Sequence, residues 1–440
     1  MKGRILIGGT NSGSGKTTLT IGLLSALKKR GHSLSAFKCG PDYIDPMFHR
    51  EVLGVSSGNL DSYFYSENLC RELFCENASD FSIIEGVMGY YDGGAGSTAN
   101  LARILGAPTI LVVNASGAFQ SVLAVIHGFL TWEENNIAGV ILNNTSQNVF
   151  TQLKGDIEKM GVKAVGFVPK LSKDLLLESR HLGLVTAGEI ENLATKVDKL
   201  AEILQATIDI EAILEIGNSA SKLEYKKTEI EKCESVKIAV AKDSAFCFCY
   251  RENISLLEKM GCEICYFSPL EDKKLPDCDG LYLVGGYPEL YKKQLAENRE
   301  MLADVKDKIQ NGLPTIAECG GYMYLTDKID GEKMCGVFPC ECEKKEKLVR
   351  FGYLQMKKLE NGGLFDGNFK GHEFHYYDST NNGEAFSCTK QNGTSWKAGH
   401  LTESVYAGFG HLAFHSDKKS VEDFIRKCNE YKNIGGKDEK

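Results

Sequence analysis

The chain has 440 residues, 42% apolar and 25% charged, a balance that excludes a disordered or fibrous protein and a length that suits two or three domains. A net charge of -8 excludes a general nucleic-acid surface, although a local basic pocket for a small polyanion remains compatible with it. The opening MKGRILIGG runs straight into a strand and a loop, without the pattern of a signal peptide. The best apolar run, APTILVVNAS, is too short to span a bilayer, so no membrane partner and a cytoplasmic location are expected. In that setting the 15 cysteines are expected to be reduced packing residues. Cys262 and Cys265 form one CxxC, but the second pair that a structural metal site needs is missing.

From residue 1 to about 210, apolar strands alternate with helical patterns, which predicts a parallel sheet covered by helices. Strands are expected at 4–8, 33–38, 81–85, 108–114, 137–142 and 164–168. Between the first strand and a helix expected at 18–30 lies IGGTNSGSGKTTLT. A phosphate-cradling loop needs inward backbone N–H groups, permissive glycines and a lysine reaching the outer phosphates. Gly13, Ser14, Gly15, Lys16 and Thr17 meet that need for ATP, and the Thr17 hydroxyl is a natural Mg2+ ligand. The usual spacing puts glycine where Thr10 stands; the glycine is Gly9, one residue earlier.

Phosphoryl transfer also calls for carboxylates on the metal. Asp45 and Glu85 are delivered to the carboxyl edge of the sheet and are the best candidates. Asp92 is a candidate for substrate contact and Asn143 for contact with the base.

Near 216–235 the text GNSASKLEYKKTEIEKCES loses apolar periodicity and reads as a linker between a first domain, 1–215, and a second, 236–434. The tail at 435–440 is expected to be disordered. The second domain restarts the α/β alternation, with strands expected at 236–241, 261–267, 280–284 and 315–318. The last of these runs into Glu-Cys-Gly-Gly, which places Cys319 at a strand-to-helix turn where the helix N-terminus would favour the thiolate. A thiol nucleophile needs a base. His411, in YAGFGHLAFHSD, is the first candidate and His415, four residues on, the second.

The segments GTNSGSGKTT, FKCGPDYIDPMFH, NLDSY, IEGVMGYYDG and SRHLGL, in that order, resemble the cobyrinic acid a,c-diamide synthase family. The first half is similar to dethiobiotin synthetase, and the ECGG turn resembles the nucleophile elbow of class I glutamine amidotransferases. The resemblance extends over nearly the whole chain and implies a P-loop unit that activates a carboxylate, joined to a glutaminase unit. It implies that Lys16 and Thr17 bind ATP and Mg2+, with Asp45 and Glu85 completing the metal site. Asp42, Tyr43, Ile44 and Asp92 would shape the pocket for the carboxylate, and backbone N–H groups of Gly286 and Gly320 would form the oxyanion hole.

The implied reaction is amidation of the a and c acetates of cobyrinic acid with L-glutamine as nitrogen donor, and a homodimer is compatible with it. The same chemistry on another tetrapyrrole, hydrogenobyrinate or nickel sirohydrochlorin, stands as the alternative. A nucleotide-switch protein with a degenerate cysteine module is the rival from another class; the loop lacks the extra early lysine of partition ATPases. Class I enzymes commonly carry a glutamate two residues after the histidine. Here that residue is Ala413, which leaves the group that orients the ring unidentified.

Overall fold

The structure is a computed structural model and describes residues 2–175 and 187–435. The chain forms two compact units that divide between Thr228 and Glu229. The SRHLGL segment and residues 436–440 lie outside the described residues.

The first unit holds one seven-stranded sheet. Its strands are β1 (Gly3–Gly9), β2 (Leu34–Cys39), β3 (Ser56–Leu60), β4 (Phe81–Glu85), β5 (Thr109–Asn114), β6 (Ile137–Asn143) and β7 (Lys163–Val168). They lie in the order β3-β2-β4-β1-β5-β6-β7, all parallel. Covered on both faces, such strands read as continuous apolar runs, and Ile5, Ile7, Ile83, Ile110, Val112 and Ile141 are all core residues. β3, with the sequence SSGNL, escapes that pattern. It is an edge strand paired along its length with β2, and its Asn59 donates to the carbonyls of Gly40 (2.9 Å) and Asp42 (2.7 Å).

Helix α1 (Lys16–Lys29) begins at the loop lysine itself and buries Leu19, Leu23, Leu24 and Leu27, the stripe seen in the sequence. Helix α2 (Ile44–Glu51) follows β2 and brings Asp45 back toward the sheet's carboxyl edge.

The expected boundary at 215 falls inside the helix Ile210–Asn218. Beyond it, residues 219–228 are tied to the first unit by polar contacts that carry no periodic signal. Arg4 donates to Ser221 O at 2.7 Å, Lys226 N to Asn68 Oδ1 at 2.7 Å, and Thr228 N to Glu72 Oε1 at 2.9 Å. Residues 229–235 belong to the second unit, where Cys233 N donates to Met260 O at 2.7 Å.

The second unit is built on a six-stranded sheet in the order His400–Leu401, Val405–Gly408, Thr315–Glu318, Gly280–Leu283, Lys237–Ala241, Glu263–Phe267. All neighbours are parallel except the first pair. The chain between Thr326 and Ala398 contributes most of two further sheets. One is antiparallel and five-stranded: Ser395–Ala398, Phe386–Thr389, Arg350–Lys358, Phe369–His375 and, at its edge, His411–Leu412. That edge pairing sets His411 opposite His372.

Candidate active sites

In the first unit, β1 ends at Gly9 and the chain turns through residues 10–15 into α1. Gly15, at φ 103°, enters the helix through a left-handed conformation that a side chain would resist. A Cβ there would also collide with the Asn143 amide. Asn143 Nδ2 donates to Ser14 O at 2.7 Å, so its carboxamide braces the loop. Ser14 Oγ is buried without a hydrogen-bond partner, as suits a donor awaiting an anion.

Lys16 is 8% exposed, and its ammonium donates to the carbonyls of Asn11 (3.1 Å) and Met88 (2.5 Å). Burial, followed by the charge of Lys38, pushes its pKa down to about 8, so an arriving polyphosphate would find a poorly solvated cation.

Beside the loop lies an acidic cluster. Thr17 Oγ1 donates to Glu85 Oε1 at 2.5 Å, and Asp42 accepts from the amides of Ile44 (2.9 Å) and Asp45 (3.4 Å) at the start of α2. At the centre stands Lys38, which no motif in the sequence marks. Its ammonium pairs with Asp45, lies 2.9 Å from Glu85 Oε1 and is 3.7 Å from Asp42 Oδ2. Burial opposes its charge, but Asp45 and Glu85 outweigh burial and hold it well above the usual lysine range. Glu85, fully buried, is pushed up to about 7 by burial and then by Asp45. A lysine inside a buried strand, just before PDYID, was the available signal, because such a charge must find anions.

Three carboxylates around one ammonium leave the cluster with surplus negative charge, and Glu85 Oε2 is buried without a hydrogen-bond partner. Oxygen donors from Thr17, Asp45 and Glu85 fit a hard divalent cation. Among the described residues no group of three His, Cys, Asp or Glu side chains is arranged to hold a metal alone.

Tyr43 is buried and Ile44 half-buried on the same turn as Asp45. Asp92 is exposed, and its carboxylate accepts from Gly89 N at 2.9 Å, within the turn whose Tyr90 amide donates to Gly9 O at 2.8 Å. Every candidate of the first unit therefore borders the loop or the acidic cluster.

In the second unit the strand Thr315–Glu318 delivers Cys319 at φ 48°, ψ -103°, a conformation strained for a non-glycine residue, before the short helix Gly320–Leu325. The Cys319 amide donates to Gly408 O at 2.7 Å, which fastens the turn to the neighbouring strand. The expected thiolate character is absent. Burial and then Glu289 push the thiol pKa up, and the Gly320 amide, which works the other way, does not offset them. A six-residue helix cannot outweigh loss of water around the sulfur. The resting group is a thiol, and its proton must be taken during the reaction.

His411 is 2% exposed. Its Nδ1 lies 3.7 Å from Glu318 Oε2, and its ring stacks on His372 with centroids 4.8 Å apart and planes at 16°. A Cβ on Gly285 would collide with Cε1 of His411, and the amide nitrogen of Gly286 would lie 3.0 Å from a Cβ on Gly320. The Gly285–Gly286 turn therefore touches both the histidine and the residue after the cysteine. His415 sits in the one-turn helix Phe414–Ser416, and its pKa is pushed down to about 4 by burial and then by Lys259 and Lys418. Glu318 carried no sequence signal of its own, being read only as part of the turn.

The two units define the class: a parallel-sheet nucleotide-binding unit and a thiol-bearing amidotransferase unit in one polypeptide. Residues 5–185 match the CobQ/CobB/MinD/ParA nucleotide binding domain, and residues 237–419 match the CobB/CobQ-like glutamine amidotransferase domain. The cobyrinate a,c-diamide synthase of Clostridium acetobutylicum is 40% identical over 96% of this chain and 99% of its own. Those of Caldanaerobacter subterraneus subsp. tengcongensis and Priestia megaterium are each 39% identical over 97% of this chain, covering 98% and 97% of their own lengths. The chain belongs to the cobyrinate a,c-diamide synthase family. No described helix is long and apolar enough to cross a membrane.

Proposed function

We propose that the chain is an ATP- and glutamine-dependent carbon–nitrogen ligase that amidates the a and c acetates of cobyrinic acid. The carrying observation is that a braced phosphate loop and a strained cysteine turn, with His411 3.7 Å from the glutamate just before the cysteine, occur together in a chain 40% identical over 96% of its length to a named synthase.

ATP binds at Gly13–Thr17, with Lys16 on the outer phosphates. Thr17, Asp45 and Glu85 would hold Mg2+, which neutralises phosphate charge when bound. Asp42, Tyr43, Ile44 and Asp92 border the place where the substrate carboxylate attacks the γ-phosphorus, giving an acyl phosphate and ADP. Cys319 attacks the side-chain amide of glutamine as its proton passes to His411, and the amides of Gly286 and Gly320 would face the oxyanion. Ammonia leaves, water clears the thioester, and ammonia displaces phosphate from the acyl phosphate. Each amide consumes one ATP and one glutamine, and two rounds complete the diamide. Dividing the work makes sense because free ammonia is largely protonated at neutral pH.

The test is a mass-spectrometric assay of the protein with ATP and glutamine on cobyrinic acid, hydrogenobyrinate and nickel sirohydrochlorin. A diamide formed preferentially from cobyrinic acid is expected. Preference for either of the others overturns the substrate, and no amide on any of them overturns the reaction.

A further inference from the structure

We infer that Glu318 is the positioning residue for His411 in glutamine hydrolysis, holding the ring and balancing its charge from the position just before the nucleophile. The inference rests on the reading of Cys319 and His411 given above.

Two residues after the histidine stands Ala413, which is buried and whose amide donates to Lys370 O at 3.0 Å, so no carboxylate can act from there. Glu318 reaches the ring from another strand. It is 1% exposed; Oε1 accepts from the amide of Leu412, the residue after His411, at 3.0 Å. Oε2 accepts from the Tyr282 hydroxyl at 3.0 Å and lies 3.7 Å from His411 Nδ1. Two neutral donors orient a buried carboxylate but do not neutralise it. An imidazole that has just taken the thiol proton does. Catalytic contacts of this kind are often long in the empty enzyme and tighten with substrate.

The rest of the ring's surroundings fit the assignment. His372 stacks on one face, bonded through Nδ1 to the Tyr250 hydroxyl at 2.9 Å. Burial and then His411 hold His372 well below the usual histidine range, so it stays neutral and adds no competing positive charge. The bare Cα of Gly285 leaves room for the Cε1 edge, where a Cβ would collide. The titratable groups facing His411 include Glu318, with Tyr282 behind it, and His372, with Tyr250 behind it, besides the Cys319 thiol of the reading above. A hydrogen bond from Nδ1 to Glu318, formed as the 3.7 Å gap closes with substrate, would keep the proton on that nitrogen and leave Nε2 to act as base.

The proton of Cys319 passes to Nε2 as sulfur bonds to the amide carbon. That proton then goes to the departing nitrogen as the C–N bond breaks. Water hydrolyses the thioester to glutamate and restores the thiol.

The test is glutamine hydrolysis by the full chain carrying Glu318→Gln, Glu318→Asp or Cys319→Ser, followed across pH. Glu318→Gln should lower kcat about 100-fold or more with little change in KM. It should also move the acid limb of kcat/KM to lower pH, because losing the anion disfavours the imidazolium. Glu318→Asp keeps the charge and should lose about ten-fold in kcat with the acid limb unmoved. Wild-type kcat in Glu318→Gln, or a loss with the acid limb unmoved, overturns the assignment. Should circular dichroism show Glu318→Gln unfolded, Glu318→Asp decides, and wild-type kcat there overturns it. Hydrolysis that survives Cys319→Ser sinks the underlying reading; hydrolysis lost there but intact in Glu318→Gln sinks this assignment alone.

Discussion

Glu85 shows how a single residue carries the strain of the nucleotide site. Its carboxyl is raised to about 7 from an ordinary 4.5, so the folded state holds its proton more tightly than the unfolded chain. A raised carboxyl contributes stability below the unfolded value and loses it as pH climbs through the folded one. The difference in melting temperature, Glu85→Gln minus wild type, should therefore grow between about pH 4.5 and pH 7; a flat difference refutes the raised value. Cys319 and Lys16 were legible because their chemistry is written in adjacent glycines and flanking strand and helix. Lys38 and Glu318 were not, because each acts through partners brought from elsewhere: Asp45 and Glu85 for one, Tyr282 and His411 for the other.

Among the elements, parallel strands with apolar runs declared themselves. Edge strands such as β3, and the two-residue strand His411–Leu412, did not, because hydrogen bonds to neighbours place them rather than a pattern of their own. The loop before α1 likewise depends on β6, whose last residue braces it. Asn143→Ala removes the 2.7 Å bond to Ser14 O and should raise KM for ATP about ten-fold, the equivalent of about 1.4 kcal/mol. An unchanged KM would mean that the loop holds its shape unaided. Glutamine hydrolysis, performed by the other unit, serves as the internal control. Gly285→Ala should do the reverse, cutting glutamine-driven turnover by displacing His411, with amidation from added ammonium serving as its control.

At the scale of the whole molecule, two units with separate chemistry should fail separately. Cys319→Ser is expected to lose glutamine-driven amidation and keep amidation driven by ammonium, whereas Lys16→Ala should lose both. Full glutamine-driven turnover in the first, or ammonium-driven turnover in the second, contradicts the division of labour. The sequence by itself determined the parallel sheet, the phosphate loop, the cysteine turn and the family resemblance, because each is carried by residues adjacent in the chain or repeating with a fixed period. Tertiary structure alone decided the division between Thr228 and Glu229, the ammonium at the heart of the acidic cluster, the neutral thiol and the carboxylate beside His411. Those depend on burial and on charges brought together across the fold, and the free energy of a buried charge is set by its neighbours in space.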